Sequence, residues 1–188
     1  MKARSPVDAK TARKKPAKKP TARRLRNIAL YYLKRFPSSA SNLKAVLRRR
    51  VLRMTLEDPA PRAEAFGHID TIVADLVSQG AVNDLVFARG KAYQAAALKK
   101  PARKTQMKLA AKGVAKDVIA QVMAETTSEE SEFEAALAIA RRRRLGPFRT
   151  TARDRDTDRK DMGALARAGL SFDVAKKVMA YDDGSAES

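Results

Sequence analysis

The chain has 188 residues, 44% of them hydrophobic, so it is long enough to bury one large core or several small ones. It carries 40 Lys and Arg against 21 Asp and Glu, a formal net charge of +19, which predicts a polyanionic partner. It has no cysteine and a single histidine, which excludes disulfides and removes most nucleophilic and metal-assisted chemistry, so we expect no enzyme, no cofactor and no metal site.

The first 26 residues form a distinct basic segment. They contain eleven Lys or Arg and one acid, so a net charge of +10 lies there and +9 in the rest of the chain. Three prolines and the scarcity of large apolar side chains before Leu25 predict a disordered tail over residues 1–22. There is no run of 18 apolar residues and no apolar stretch behind the basic start. We therefore expect neither a membrane span nor a secretory signal, and a cytoplasmic location.

Apolar residues at helical spacing follow the tail and predict a first group of three helices. The first helix covers residues 25–36 and ends at Pro37, and Ser39 caps the second. The third covers about 66–80. A proline-containing segment, residues 55–62, separates the second and third helices and leaves their relative geometry open.

A second group of three helices is predicted next. Asn83 or Asp84 caps the fourth helix. Pro101 opens the fifth helix, which ends at Gly113, and the sixth covers residues 114–125.

The third group begins with a long helix. Thr127 and Glu130 stand at capping-box spacing before it, and Gly146-Pro147 ends it. Two shorter helices, roughly 157–168 and 171–181, complete the group.

An internal repeat supports this grouping. Residues 109–123 and 165–179 are identical at seven of fifteen positions, at a constant offset of 56 residues. Each copy places a glycine, Gly113 or Gly169, at a helix end. We therefore predict an all-α fold, an elongated array of three tandem three-helix modules. The predicted boundaries are a disordered basic tail 1–22, modules 23–80, 81–126 and 127–181, and a flexible acidic tail 182–188.

Basic clusters recur on the predicted helices of every module. Phosphates are their natural counterions, although the cluster at 141–144 also suits the dipole of a helix that begins with glutamates. Aromatic residues are few and Trp is absent, so we expect contact with a nucleic-acid backbone and not base stacking. The candidate binding residues are Lys34, Arg35, Arg48, Arg49, Arg50, Lys99, Lys100, Arg103, Lys104, Lys108, Arg141, Arg142, Arg143 and Arg144. For the lone histidine, His68, we expect a packing or surface role.

Several stretches spread over residues 25–181 resemble a known family. They are Ala29…Tyr32-Leu33 followed by Ser39…Leu43…Leu47, then Gly80-Ala81-Val82-Asn83-Asp84…Phe87-Ala88, and Arg103-Lys104…Leu109…Lys112-Gly113-Val114. These stretches resemble the opening helices, the Gly-Leu-Leu-Asp-Asp…Phe-Ala segment and the Arg-Arg…Leu…Lys-Gly-Ile segment of the RecX family, regulators of RecA recombinase. The chain departs from the family pattern at Asn42, where Glu is usual, and at Pro101-Ala102, where Gly-Pro is common.

The resemblance implies a partner and a mode of action. RecX family members bind the RecA filament on single-stranded DNA, lie along its groove, and inhibit filament growth, ATP hydrolysis and strand exchange. The basic clusters would then contact DNA phosphates and acidic RecA surface, in a monomer that regulates recombination and DNA repair. Because the matching residues are largely helix caps and core positions, we interpret Asp84 as a cap and not as a catalytic acid.

Two other functions stay open. A nucleoid-associated or transcription-regulating DNA-binding protein could act without RecA, since tandem short helices can form helix-turn-helix units. Such a protein should hold duplex DNA tightly, whereas a filament regulator should prefer RecA-coated single strands. A helical nuclease would need clustered carboxylates with histidine, which the sequence does not offer.

Overall fold

The computed structural model describes residues 19–182, so most of both predicted tails lies outside the described residues. Within this range the chain contains nine α-helices, one 3₁₀ turn at Gly146–Phe148 and no β-strand, which confirms the all-α prediction. The helices are α1 Ala22–Leu33, α2 Ala40–Met54, α3 Arg62–Ser78, α4 Asp84–Ala97, α5 Ala102–Ala111, α6 Lys116–Thr126, α7 Glu129–Arg143, α8 Arg155–Ala168 and α9 Phe172–Met179.

The helices pack in three successive groups of three, each around its own apolar core. Burying a large aliphatic side chain contributes roughly 1.5–3 kcal/mol, so each core stabilises its own group. The tandem arrangement of three-helix units predicted from the repeat is therefore the arrangement observed. Buried residues at the centres of the cores are Leu47 and Ile69 in α1–α3, Leu109 and Val122 in α4–α6, and Leu165 and Val178 in α7–α9.

Two helix starts follow the predicted capping chemistry. The Ser39 hydroxyl accepts the backbone N–H of Asn42 at 3.2 Å and caps α2. The Asn83 side chain accepts the backbone N–H of Val86 at 3.0 Å and caps α4. In both cases a short polar side chain satisfies an amide that has no partner inside the helix.

The capping box predicted for the seventh helix was wrong by one residue. Ser128 and Ser131 form the box, each side chain accepting the other's backbone N–H. Thr127 instead ends α6 as its C-cap, with extended backbone. Because α6 runs through Thr126, the next helix has to begin one residue later than the spacing of Thr127 and Glu130 suggested.

The proline-containing segment between α2 and α3 is a closed turn. The Arg62 guanidinium donates to the Thr55 hydroxyl at 3.0 Å and to the Thr55 carbonyl oxygen at 2.8 Å. The Thr55 hydroxyl in turn donates to the carbonyl oxygen of Val51 at 2.9 Å. Arg62 opens α3, which begins four residues before the predicted start at 66. This arginine therefore fixes the geometry that the sequence left open.

The first and second groups meet where α2 begins. Asp84, the first residue of α4, accepts the backbone N–H of Ala40 at 2.8 Å. The Ser39 hydroxyl donates to the carbonyl oxygen of Lys112, in the turn between α5 and α6. Asp84 is thus a cap, as interpreted, but it caps α2 and not its own helix.

The second and third groups meet in the same way. Glu132 of α7 accepts the backbone N–H of Ala102, the first residue of α5, at 2.6 Å. An ion pair between Lys99 and Glu134 at 3.3 Å lies beside this contact. A carboxylate from each following group therefore caps the second helix of the group before it.

The two repeat glycines lie at these junctions. Gly113, with φ +70°, sits against Ser41 so closely that an added Cβ would overlap the serine hydroxyl. Gly169, with φ +99°, lies where an added Cβ would be 3.2 Å from Cγ of Lys104. Both glycines supply a left-handed helix stop, and their repeated spacing reflects repeated contact with the preceding group.

A buried carboxylate ties the third group together. Asp161 of α8, whose side chain is 3% exposed, accepts hydrogen bonds from the Gly146 backbone N–H at 2.8 Å and from Arg149 Nε at 3.1 Å. Burial by itself raises the pKa of this carboxyl, but the bonds from Arg149 and Gly146 outweigh burial and hold the pKa below its usual value. The ionised form of Asp161 therefore stabilises the turn that follows α7.

Candidate nucleic-acid interface

Lysines at four-residue spacing line a cavity beside α5, which we call the lysine cavity. A step of four residues returns to the same face of a helix. The cavity has a volume of about 380 Å³, and Phe87 and Leu109 form part of its apolar wall. Its lysines are Lys91 of α4, Lys104 and Lys108 of α5, Lys100 just before α5 and Lys112 just after it.

The charge of the lysine cavity is unbalanced. Five lysine side chains line it, and no acidic residue among residues 19–182 does. Lys112 is oriented by a hydrogen bond of 3.0 Å from its ammonium group to the Asn42 side chain of the first group. Like charges held close together repel, and an anion among them lowers that energy. The arrangement suits a phosphate chain.

Of the five binding residues predicted at positions 99–108, three line the lysine cavity: Lys100, Lys104 and Lys108. Lys99 instead pairs with a glutamate of α7 at 3.3 Å. Arg103 lines a separate cavity between the second and third groups, where two glutamates lie nearby.

Two lysines of the cavity were missed by the sequence analysis. Lys112 continues the four-residue spacing from position 100, so the spacing itself could have identified it. Lys91 comes from α4 and reaches the cavity only because α4 packs on α5. No local sequence pattern predicts the packing of α4 on α5.

A second basic surface is the groove between α1 and α2, which we call the arginine groove. It has a volume of about 450 Å³, and no acidic residue of the described range lines it. Tyr31 also lines the groove, and the Arg35 guanidinium carbon lies 4.8 Å from its ring centroid. Arg35 and Arg50 were predicted binding residues, and Arg24 and Arg53 were missed. The arginines of the groove are Arg24, Arg35, Arg50 and Arg53.

The other binding residues predicted in the first group of helices, Lys34, Arg48 and Arg49, do not line the arginine groove. Arg48 is 3.6 Å from Asp70 and 5.9 Å from the Phe66 ring. A hydrogen bond and the charge of Lys44, 2.7 Å away, lower the pKa of Asp70. Arg48 thus belongs to an ion-pair group between α2 and α3. Lys34 and Arg49 are exposed.

The four arginines at the end of α7 form the third predicted cluster. Arg141 lies 5.0 Å from the Phe148 ring centroid, and Arg144 ends the helix in a left-handed conformation with φ 53°. Arg142 and Arg143 are exposed. Three glutamates occupy the first turn of the same helix, so acid and base are ordered as the helix dipole favours.

Residues 19–182 contain neither a cluster suited to a metal ion nor a helix suited to a membrane. In this range no group of three His, Asp or Glu side chains is arranged to hold a metal ion. No helix there has the length and apolar character needed to cross a membrane. The His68 Nε2 lies 3.3 Å from a carboxylate oxygen of Glu64, one turn earlier on α3, which gives it a surface contact.

The fold and these surfaces define a class of protein: an all-helical array of three-helix units with basic cavities. No family model matches the chain. It is 43% identical over 156 residues to Regulatory protein RecX of Myxococcus xanthus (strain DK1622), covering 82% of this chain and 83% of that protein. It is 31% identical over 175 residues to Regulatory protein RecX of Agrobacterium fabrum, covering 91% of each.

Solved structures agree with the fold. The crystal structure of RecX from Lactobacillus salivarius superposes with a TM-score of 0.65 at 18% identity, covering 85% of this chain and 94% of that one. A second crystal structure of regulatory protein RecX gives 0.67 at 18% identity, covering 85% and 72%. The chain belongs to the RecX family of regulatory proteins. A regulatory family is consistent with a non-enzymatic role.

Proposed function

We propose that this protein binds the RecA filament on single-stranded DNA and inhibits filament growth, and with it ATP hydrolysis and strand exchange. It would act as a monomer in the cytoplasm, in the regulation of recombination and DNA repair. Family membership supports the regulatory role. The structural observation that supports the nucleic-acid part is the lysine cavity, a concave surface lined by five lysine side chains and by no acidic residue of the described range.

Phosphate contact would offset the repulsion among the lysines of the cavity. Each lysine that neutralises a phosphate releases a condensed counterion, which favours binding at low salt. The lysine cavity lies in the second group and the arginine groove in the first, and the Asp84 contact with Ala40 fixes the two groups relative to each other. A strand that follows both surfaces would be held at more than one point. Protein bound in this way would obstruct the addition of RecA subunits.

Co-sedimentation with RecA filaments tests the proposal. RecA is pelleted with and without single-stranded DNA, and the share of this protein in the pellet is measured. We expect pelleting that depends on the filament and that falls several-fold in Lys100→Gln/Lys108→Gln. Lys116→Gln/Lys176→Gln removes the same charge from exposed helical positions outside the cavity and should pellet like the wild type.

The outcomes separate this function from its alternative. Pelleting that is the same without RecA, driven by duplex or single-stranded DNA alone, would favour a nucleoid-associated or transcription-regulating DNA-binding protein. Equal losses in the two double variants would mean that net charge, and not the lysine cavity, determines binding. Failure to pellet with filaments would contradict the proposal.

A further inference from the structure

We propose that the arginine groove between α1 and α2 binds unpaired bases of single-stranded nucleic acid by stacking them on its aromatic rings. This inference deepens the nucleic-acid part of the proposed function and rests on it in that respect, but it needs no RecA. It goes beyond phosphate contact, because it assigns contacts to the bases themselves. It differs from the expectation drawn from the sequence, which was backbone contact without base stacking because the chain has few aromatic residues and no Trp.

Two aromatic rings of the groove are largely exposed to solvent, although each has one contact within the groove. Tyr31 is 61% exposed and Phe36 is 55% exposed. Both line the groove, together with the half-buried Ile28 and Val46. Single exposed apolar residues are ordinary, but two large rings in one concave surface offer flat area that water solvates poorly.

Contacts of Tyr32 with Asn42 and Phe36 position the rings of the groove. Tyr32 is half-buried, and its hydroxyl accepts a hydrogen bond from the Asn42 side chain at 3.4 Å. The Phe36 ring packs on Tyr32 with 5.4 Å between centroids. Asn42 therefore helps to position the aromatic side of the groove. A partly ordered platform loses less freedom when a ligand binds.

The charges of the groove select the ligand class. Four arginine side chains line it, and no acidic residue from residues 19–182 does. Guanidinium is planar, binds phosphate through two hydrogen bonds and also stacks on aromatic faces. The Arg35 guanidinium carbon lies 4.8 Å from the Tyr31 ring centroid, within the range of a cation–π contact. Phosphates and flat π-systems are thus the two chemistries that the groove can satisfy together.

Single-stranded nucleic acid offers both chemistries at once. An acidic peptide would pair with the arginines but leave the rings without a flat partner. A duplex offers phosphates, but its base faces are stacked inside and unavailable. In an unpaired strand each base exposes a face beside its own phosphate, and one such stack strengthens binding roughly five- to a hundredfold.

The test compares two ligands with the same phosphates, in the absence of RecA. One is a thymidine 12-mer, and the other is a 12-mer of abasic deoxyribose phosphates. Dissociation constants come from fluorescence anisotropy of end-labelled strands. We expect the wild type to prefer the thymidine strand at least fivefold. Tyr31→Ala/Phe36→Ala should bind both strands equally, whereas Tyr31→Phe should retain the preference.

Matched controls separate stacking from loss of folding or of charge. Tyr93→Ala removes a ring of similar exposure, 58%, on α4, and should leave the preference intact. Arg50→Gln/Arg53→Gln should weaken the binding of both strands by the same factor. Helical circular dichroism of each variant is compared with that of the wild type.

A second readout uses the unaltered protein. The chain has four Tyr and no Trp, so tyrosine emission can be followed directly, and the thymidine strand should quench it while the abasic strand does not. Equal binding of the two strands by the wild type, or an equal loss in Tyr93→Ala, would overturn the proposal. So would displacement of the thymidine strand by polyglutamate more readily than by a second thymidine strand. A preference for the thymidine strand without any inhibition of RecA would support base binding in the arginine groove and contradict the proposed function.

Discussion

Asp84 accepts the backbone N–H of Ala40 at 2.8 Å, across 44 positions of sequence, so the first residue of α4 caps the helix α2 of the preceding group. Glu132 repeats the contact with Ala102 at 2.6 Å between the second and third groups. The first amides of a helix have no partner within it, and a carboxylate there also interacts favourably with the helix dipole. Helix capping thus also joins the groups and fixes the spacing of their basic surfaces.

Replacing Asp84 with Ala should weaken the first junction. The N–H of Ala40 would lose its acceptor, and loss of a cap costs about 1 kcal/mol of unfolding free energy. Thermal or urea unfolding followed by circular dichroism measures the change. Asp84→Asn keeps an acceptor oxygen and should lose less. Equal stability of Asp84→Ala and the wild type would show that this cap does not hold the junction.

Gly113→Ala should destabilise the same junction through sterics. The added Cβ would overlap the Ser41 hydroxyl, and the residue would have to adopt φ +70°. We expect a loss of more than about 1 kcal/mol. Gly67→Ala, inside α3 with no heavy atom within 4 Å of the added Cβ, is the matched control. It should be neutral or stabilising by up to about 1 kcal/mol, because alanine is the better helix former. A tolerated Gly113→Ala would contradict the close packing described.

Local sequence chemistry accounts for much of the fold and less of the site. Ser39 and Asn83 act as caps where predicted, because capping depends on residues three positions apart. The bond from Ala40 to Asp84 joins distant residues, so no local pattern reveals it.

The same limit applies to the functional surfaces. The four-residue spacing of the lysines in and beside α5 is visible in the sequence, whereas Lys91 joins them only through packing of α4 on α5. Tyr31 and Phe36 meet Arg50 and Arg53 only because α1 packs on α2. The sequence contains one indication that Asp161 is buried, since it lies four residues before buried Leu165 and therefore on the same face of α8.

Asp161 should make stability depend on pH. Its pKa is lower in the folded protein than in the unfolded chain, so its contribution is complete above the unfolded pKa, about 4, and is lost as the pH falls through the folded value. Asp161→Asn should lose at least about 2 kcal/mol at pH 7, because Arg149 is left without its anion. The difference from the wild type should narrow below about pH 4.

Urea unfolding at pH 7 and at pH 3.5 tests this prediction. Asp158→Asn is the control, since Asp158 pairs with Arg153 at 2.9 Å near the surface and should cost less than about 1 kcal/mol. A constant difference between Asp161→Asn and the wild type over both pH values would refute the assigned cause.

Arg48 and Arg50, which the sequence places in one cluster, should behave differently. Arg48 contacts Asp70 and Phe66, so Arg48→Gln should lower stability slightly, by under about 1 kcal/mol, and leave DNA binding nearly unchanged. Arg50 lines the arginine groove, so Arg50→Gln should weaken binding of single strands and reduce the slope of log affinity against log salt by about 0.7. Binding and unfolding are measured on the same samples. Equal effects of the two variants on binding would contradict the separation.

The DNA-dependent ATPase of RecA, measured on single-stranded DNA with increasing amounts of this protein, tests the proposed regulation most directly. We predict that the ATPase rate falls as the protein is added, and that Lys100→Gln/Lys108→Gln inhibits less at every concentration than Lys116→Gln/Lys176→Gln. An unchanged ATPase rate at saturating wild-type protein would contradict the account.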